Sequence, residues 1–134
     1  MPPIELLSRA LADVPAVRLA VLFGSAARGQ AGSRSDLDVG VDLEGGPEAL
    51  SRLAVRLCRE TGREVDLVSL REAPPLLRFE IARDGLVLVE RAPHAWADFR
   101  ARAMTDWWDW APTARIMHAA ALGRLREGLA RGAA

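Results

Sequence analysis

Residues 36–43 alternate without a break, with Asp36, Asp38, Gly40 and Asp42 on one parity and Leu37, Val39, Val41 and Leu43 on the other. Successive side chains of an extended chain project to opposite faces, so this segment reads as a strand with one apolar face and one wet face. Upstream, Val17 to Phe23 is a mostly apolar run rich in branched residues and reads as a buried strand. Between them, Gly24 to Ser35 is Gly, Ala, Ser and Arg with a single Gln and no periodicity, a loop with room for one helical turn.

The rest of the chain fills in around these two strands. Ile4, Leu7 and Leu11 fall at helical spacing between a Pro pair and Pro15. After the turn Gly45-Gly46-Pro47, residues Leu50, Leu53, Ala54, Leu57 and Cys58 form one helical face, with Arg52, Arg56 and Arg59 towards water and Gly62 as the stop. Glu64 to Leu70 alternates again, Ala73 to Asp84 reads as helical, and Leu86 to Val89 is a short apolar strand. After Pro93 the pattern is helical to the end, with a break expected at Pro112. In its first piece Trp96, Phe99, Ala103, Trp107 and Trp110 share a stripe, roughly 80° wide at 100° per residue. In its second piece His118, Leu122, Leu125 and Leu129 share a face, which makes His118 a half-buried packing residue; His94 reads as helix-start surface.

The expected fold is therefore α/β (α+β), with a mixed or antiparallel sheet and helices on one side. Residues 1–92 form the domain, and residues 93–134 form a helical extension packed on it that also offers a partner surface, with Trp108 off the stripe as the candidate contact. At 134 residues one domain is expected. Eighteen basic residues, all Arg, balance eighteen acidic ones, which argues against a protein held on nucleic acid by charge alone. One Cys excludes an internal disulfide, and with two His it is too few for a zinc cluster. Cys58 reads as a buried structural thiol. No apolar run reaches a membrane-spanning length, so a reduced, cytoplasmic protein is expected.

The chemistry concentrates in Gly24-Ser25 and in Ser35-Asp36-Leu37-Asp38. Residues i and i+2 of a strand share a face, so Asp36 and Asp38 stand side by side. Two carboxylates about 4 Å apart repel by roughly 4 kcal/mol at an effective dielectric of 20. A cation between them removes that penalty, and hard oxygen donors on a strand suit Mg²⁺. Asp66 lies on the polar parity of its own strand and completes a triad if that strand pairs beside the first. Three carboxylates and two Mg²⁺ ions are the template for in-line phosphoryl transfer. Gly24 lets backbone approach a phosphate closely, Ser25 offers a hydroxyl donor, and Arg28 is within reach of a phosphate.

With these residues the sequence resembles a minimal nucleotidyltransferase of the DNA polymerase β superfamily, whose pattern is an apolar strand, Gly-Ser, a loop, Asp-x-Asp and a later acidic strand residue. More narrowly it resembles the MNT antitoxins of HEPN/MNT toxin–antitoxin pairs, over about Ala16 to Val89 and only loosely in the tail. The resemblance implies metal ligation by Asp36, Asp38 and Asp66, with Asp66 also the base. It implies nucleotide phosphate contact by Gly24 and Ser25, with Arg28 and Ser35 as further contacts. It further implies ATP as substrate, Mg²⁺ as cofactor, and transfer of AMP onto a tyrosine of a HEPN ribonuclease toxin. The chain has no Tyr, so such an acceptor comes from another molecule.

Plainer readings stand beside these. The aspartates could line a solvated strand face, Arg28 could be a solvated loop residue, and Ser35 could simply start a strand. The Trp stripe is most simply the seat of the tail, with a partner surface as the alternative. Two other functions compete: nucleotidylation of a small molecule such as an aminoglycoside, and an antitoxin that acts by binding alone.

Overall fold

The computed structural model describes residues 2–29 and 36–132. Helix α1 (Pro3–Ala12) opens on Pro2 in extended conformation with Pro3 in its first turn, where a missing N–H costs nothing. Strand β1 (Val17–Phe23) follows, then a single helical turn α2 (Gly24–Ala27), strand β2 (Leu37–Leu43), helix α3 (Gly46–Thr61), strand β3 (Val65–Ser69), helix α4 (Pro75–Asp84), strand β4 (Leu86–Glu90) and helix α5 (Ala95–Gly132). Gly62 ends α3 in the left-handed region, φ +67°, with its N–H donated to the Cys58 carbonyl. Among the described residues no helix is long and apolar enough to cross a membrane.

The four strands lie in the order β3-β2-β1-β4. Strand β1 pairs antiparallel with both neighbours, and β2 pairs parallel with β3 through the α3 crossover, so the sheet is mixed. Arg91 ties the start of β1 to the end of α1: its guanidinium donates to the carbonyls of Val17 (2.7 Å) and Ala12 (2.6 Å).

Helices cover both faces of the sheet, where one was expected. Leu7 and Leu11 of α1 and Leu53 and Leu57 of α3 pack on Ala20, Leu22, Val39 and Val41. On the other side Ile81 and Ala82 of α4 and Phe99 and Ala103 of α5 pack on Leu19, Val21 and Phe23. The reason lies in β1, where every residue but Arg18 is buried; a central strand apolar on both faces needs a layer on each. The wet face of β2 is consequently short. At Gly40 it is closed by Leu70 and Ile81, and a Cβ there would lie 2.6 Å from Leu70 Cδ2.

Helix α5 also differs from expectation, running unbroken through Pro112. Proline removes one hydrogen bond of the ladder, but the Ala, Leu, Met and Arg around it propagate a helix well enough to carry it. Only the first part of α5 is seated: Phe99 and Ala103 are buried, Trp96 stacks on Phe99 at 5.8 Å, and Trp107 stacks on Phe79 of α4 at 5.3 Å. Trp110 is partly exposed, Trp108 is 74% exposed, and Leu125 and Leu129 are exposed. His118 is exposed as well, contrary to the half-buried position expected from its stripe, because the body of the domain ends before the stripe does. His94 lies at the surface as expected, while Cys58 is only half-buried against the core.

Candidate active site

The site is built where β1 ends and β2 and β3 begin. Phe23 pairs with Asp38 across the antiparallel β1–β2 ladder, and Asp38 pairs with Asp66 across the parallel β2–β3 ladder. The alternation of β2 buries Leu37 and Val39 and leaves Asp38 half-exposed on the opposite face. Asp66 occupies the same position of β3, with Val65 buried beside it, and Asp36 is exposed just before β2. The two strand carboxylates therefore sit directly side by side, with Asp36 two residues upstream of Asp38.

Gly24 closes the third side. It adopts φ +73°, and a Cβ on it would collide with Asp38 Oδ2. Only glycine lets the backbone turn into α2 this close to a carboxylate. Ser25 is half-buried in α2, and Arg28 follows the turn, its N–H donated to the Gly24 carbonyl at 3.3 Å. The Arg28 guanidinium lies 3.7 Å from Asp84 of α4, which also pairs with Arg83 at 2.9 Å. Sequence reasoning singled out Arg28 but missed Asp84, whose only neighbour in sequence signals is the adjacent Arg83.

Electrostatics join these groups. The Asp38 carboxyl is held above its ordinary pKa of 3.8, first by burial, then by the negative charges of Asp66 and Asp36, while Arg28 pulls the other way. Asp84 is shifted down, chiefly by its hydrogen bond to Arg83, with the charges of Arg83 and Arg28 adding to it. Among the described residues no three His, Cys, Asp or Glu side chains close tightly enough to hold a metal ion as they stand. The acids share a face and feel one another, and like charges without a counter-ion repel. Their chemistry nonetheless fits a hard divalent cation: an all-oxygen donor set, a carboxylate whose ionisation its neighbours oppose, and a glycine leaving backbone open beside it. Ser35 lies outside the described residues.

The sequence and the fold have counterparts in known proteins. The profile of the family described as "Polymerase beta, Nucleotidyltransferase" matches residues 5–94. No curated protein sequence matches the chain. Among solved structures, the chain is similar to a toxin–antitoxin crystal structure with AMP-PNP, at 25% identity and a TM-score of 0.75 over 87% of this chain and 97% of that one. A tri-AMPylated Shewanella oneidensis HEPN toxin in complex with MNT antitoxin matches at 22% identity and a TM-score of 0.68, over 87% of this chain and 98% of that one. A structure assigned as a minimal nucleotidyltransferase is 39% identical over 62% of this chain and 86% of that chain, with a TM-score of 0.50.

Proposed function

This chain belongs to the polymerase β nucleotidyltransferase family, and on that premise we propose that it is an antitoxin that transfers AMP from ATP to a hydroxyl, a tyrosine, of a HEPN ribonuclease toxin and so silences it. One observation carries the reading: Asp38 and Asp66 are paired in register beside Gly24, whose backbone turns against the Asp38 carboxylate. A similar structure is described as a toxin–antitoxin with AMP-PNP, and another, alike in fold, holds a tri-AMPylated HEPN toxin.

In this reading Asp66, the more exposed of the strand pair, accepts the proton of the incoming hydroxyl. The acceptor oxygen bonds to the α-phosphorus, the bond to the β-phosphate oxygen breaks, and pyrophosphate leaves towards the Gly24-Ser25 turn. There the backbone of Gly24, the Ser25 hydroxyl and the Arg28 guanidinium receive the departing charge. Asp36, Asp38 and Asp66 would hold Mg²⁺, which when bound neutralises charge developing on the transferred phosphoryl group. The cytoplasm, with its ATP, is the compartment this reaction calls for. In this reading the exposed part of α5 faces the toxin: Trp108, off the stripe that seats the helix, and Leu125 and Leu129 beyond the seated part all stand exposed.

The test is incubation with labelled ATP, Mg²⁺ and a coexpressed HEPN partner. Label is expected on the partner, and none with Asp36→Ala plus Asp38→Ala. If that double variant protects cells from the toxin as well as the parent does, neutralisation is by binding; label on an added aminoglycoside would instead make the chain a small-molecule enzyme.

A further inference from the structure

At the opposite end of the sheet from the acidic pair lies a cleft of about 500 Å³ whose lining includes Arg18, Arg71, Arg78 and Arg102 with only Asp42 and Asp98 against them. The four arginines come from places far apart in sequence: the start of β1, the turn after β3, helix α4 and helix α5. Arg18 is the single exposed position of its strand. Arg71 is matched by Asp42, at 2.6 Å. No ion pair among the described residues engages Arg18, Arg78 or Arg102. The Arg78 guanidinium lies over the Phe99 ring at 5.3 Å, and its Nε is buried without a hydrogen-bond partner.

We propose that this cleft is a second binding site, for a small molecule carrying a phosphate dianion, separate from the nucleotidyl-transfer site. Four cations and two anions in the lining leave two positive charges unmatched. A phosphomonoester carries about −1.5 to −2 at neutral pH, which matches that surplus where a single carboxylate does not. Guanidinium forks bind phosphate oxygens in pairs, and forks set around a concave space grip a tetrahedral anion from several sides. The opening turn of α5, with Ala95 and Asp98, forms one wall and adds the positive end of a long helix. All four line one cavity, which is large enough for a sugar phosphate or a nucleotide.

The experiment is an NMR titration of the full chain with inorganic phosphate and phosphoserine, with succinate as the carboxylate control. Saturable shifts are expected at the amides of Leu19, Arg71 and Ala95, and none at Gly24 to Ala27. Arg18→Gln plus Arg78→Gln should weaken binding about tenfold or more. Arg102→Gln alone should weaken it less, and an unchanged melting temperature will show that each variant is folded. Shifts confined to Gly24–Ala27, succinate binding as tightly as phosphate, or no shift at about 10 mM ligand would overturn the proposal. Tighter binding of a phosphoserine peptide than of free phosphoserine would overturn the small-molecule assignment. None of these readouts depends on AMP transfer.

Discussion

The two ends of one sheet carry opposite chemistry. Where β2 and β3 begin, Asp36, Asp38 and Asp66 crowd against a glycine turn; where the same strands end, Asp42 is outnumbered by Arg18, Arg71, Arg78 and Arg102. The strands are short, so the ends are separated by only a few residues of β2, and the middle is sealed by Gly40 packed under Leu70 and Ile81. The acidic end can use a cation and receive a polyanionic substrate only with charge compensation, whereas the basic end can take an anion directly. One scaffold thus separates carboxylates that repel one another without a counter-ion from arginines that carry a surplus of positive charge.

The strongest way to break that contrast is to remove the acids. Asp36→Ala plus Asp38→Ala should reduce AMP transfer below detection in the labelling assay, while leaving phosphate shifts at the basic end intact. Next comes Gly24→Ala. At φ +73° an L-residue costs about 1–2 kcal/mol, and its methyl would strike the Asp38 carboxylate. Transfer should fall by roughly tenfold or more, with the fold retained in a circular-dichroism melt. A wild-type rate would remove Gly24 from the site.

A third test reads the metal without reading activity. Asp38 is raised above its ordinary pKa, so its ionisation opposes folding. Its contribution is fully present below pH 3.8 and is lost as pH rises through the higher folded value. In EDTA at neutral pH, Asp38→Asn should therefore melt higher than the parent, on the order of a few degrees, and the gap should vanish towards pH 3.8. Added Mg²⁺ should stabilise the parent and narrow the gap at neutral pH. If Mg²⁺ leaves both proteins unchanged, the acidic end is not a metal site.

Much of this was legible in local pattern. Alternation in residues 36–43 placed Asp36 and Asp38 on the wet face, and Gly62 marked the end of α3, because both depend on residues close in sequence. The pairing of Asp38 with Asp66 was not, since register between strands separated by a helix is set by the whole fold. The second helical layer had a visible cue, the unalternating run of β1, whose meaning is burial on both faces. The stripe of α5 was read correctly as far as Trp107 and misjudged at His118, because periodicity shows that a face is apolar but not where its cover ends. The arginine cleft had no sequence signature at all, its four guanidinium groups being spread from residue 18 to residue 102.

The smallest expected effect concerns the link between the acidic end and α4. Asp84 draws on Arg28 and Arg83 together, and Arg28 is the cation that offsets the charge on Asp38. Asp84→Asn would release Arg28 from that attachment. Ion pairs near the surface contribute little, so KM for ATP should change by no more than about fivefold. Because Asp84 is shifted down, any stability it lends is present above pH 3.8 and fades as pH falls through its lower folded value. The stability difference between Asp84→Asn and the parent should therefore shrink in acid, opposite in direction to the dependence expected at Asp38. A KM change with kcat unaltered would make Asp84 a positioning residue for Arg28; an unchanged KM would leave Arg28 oriented by its own turn.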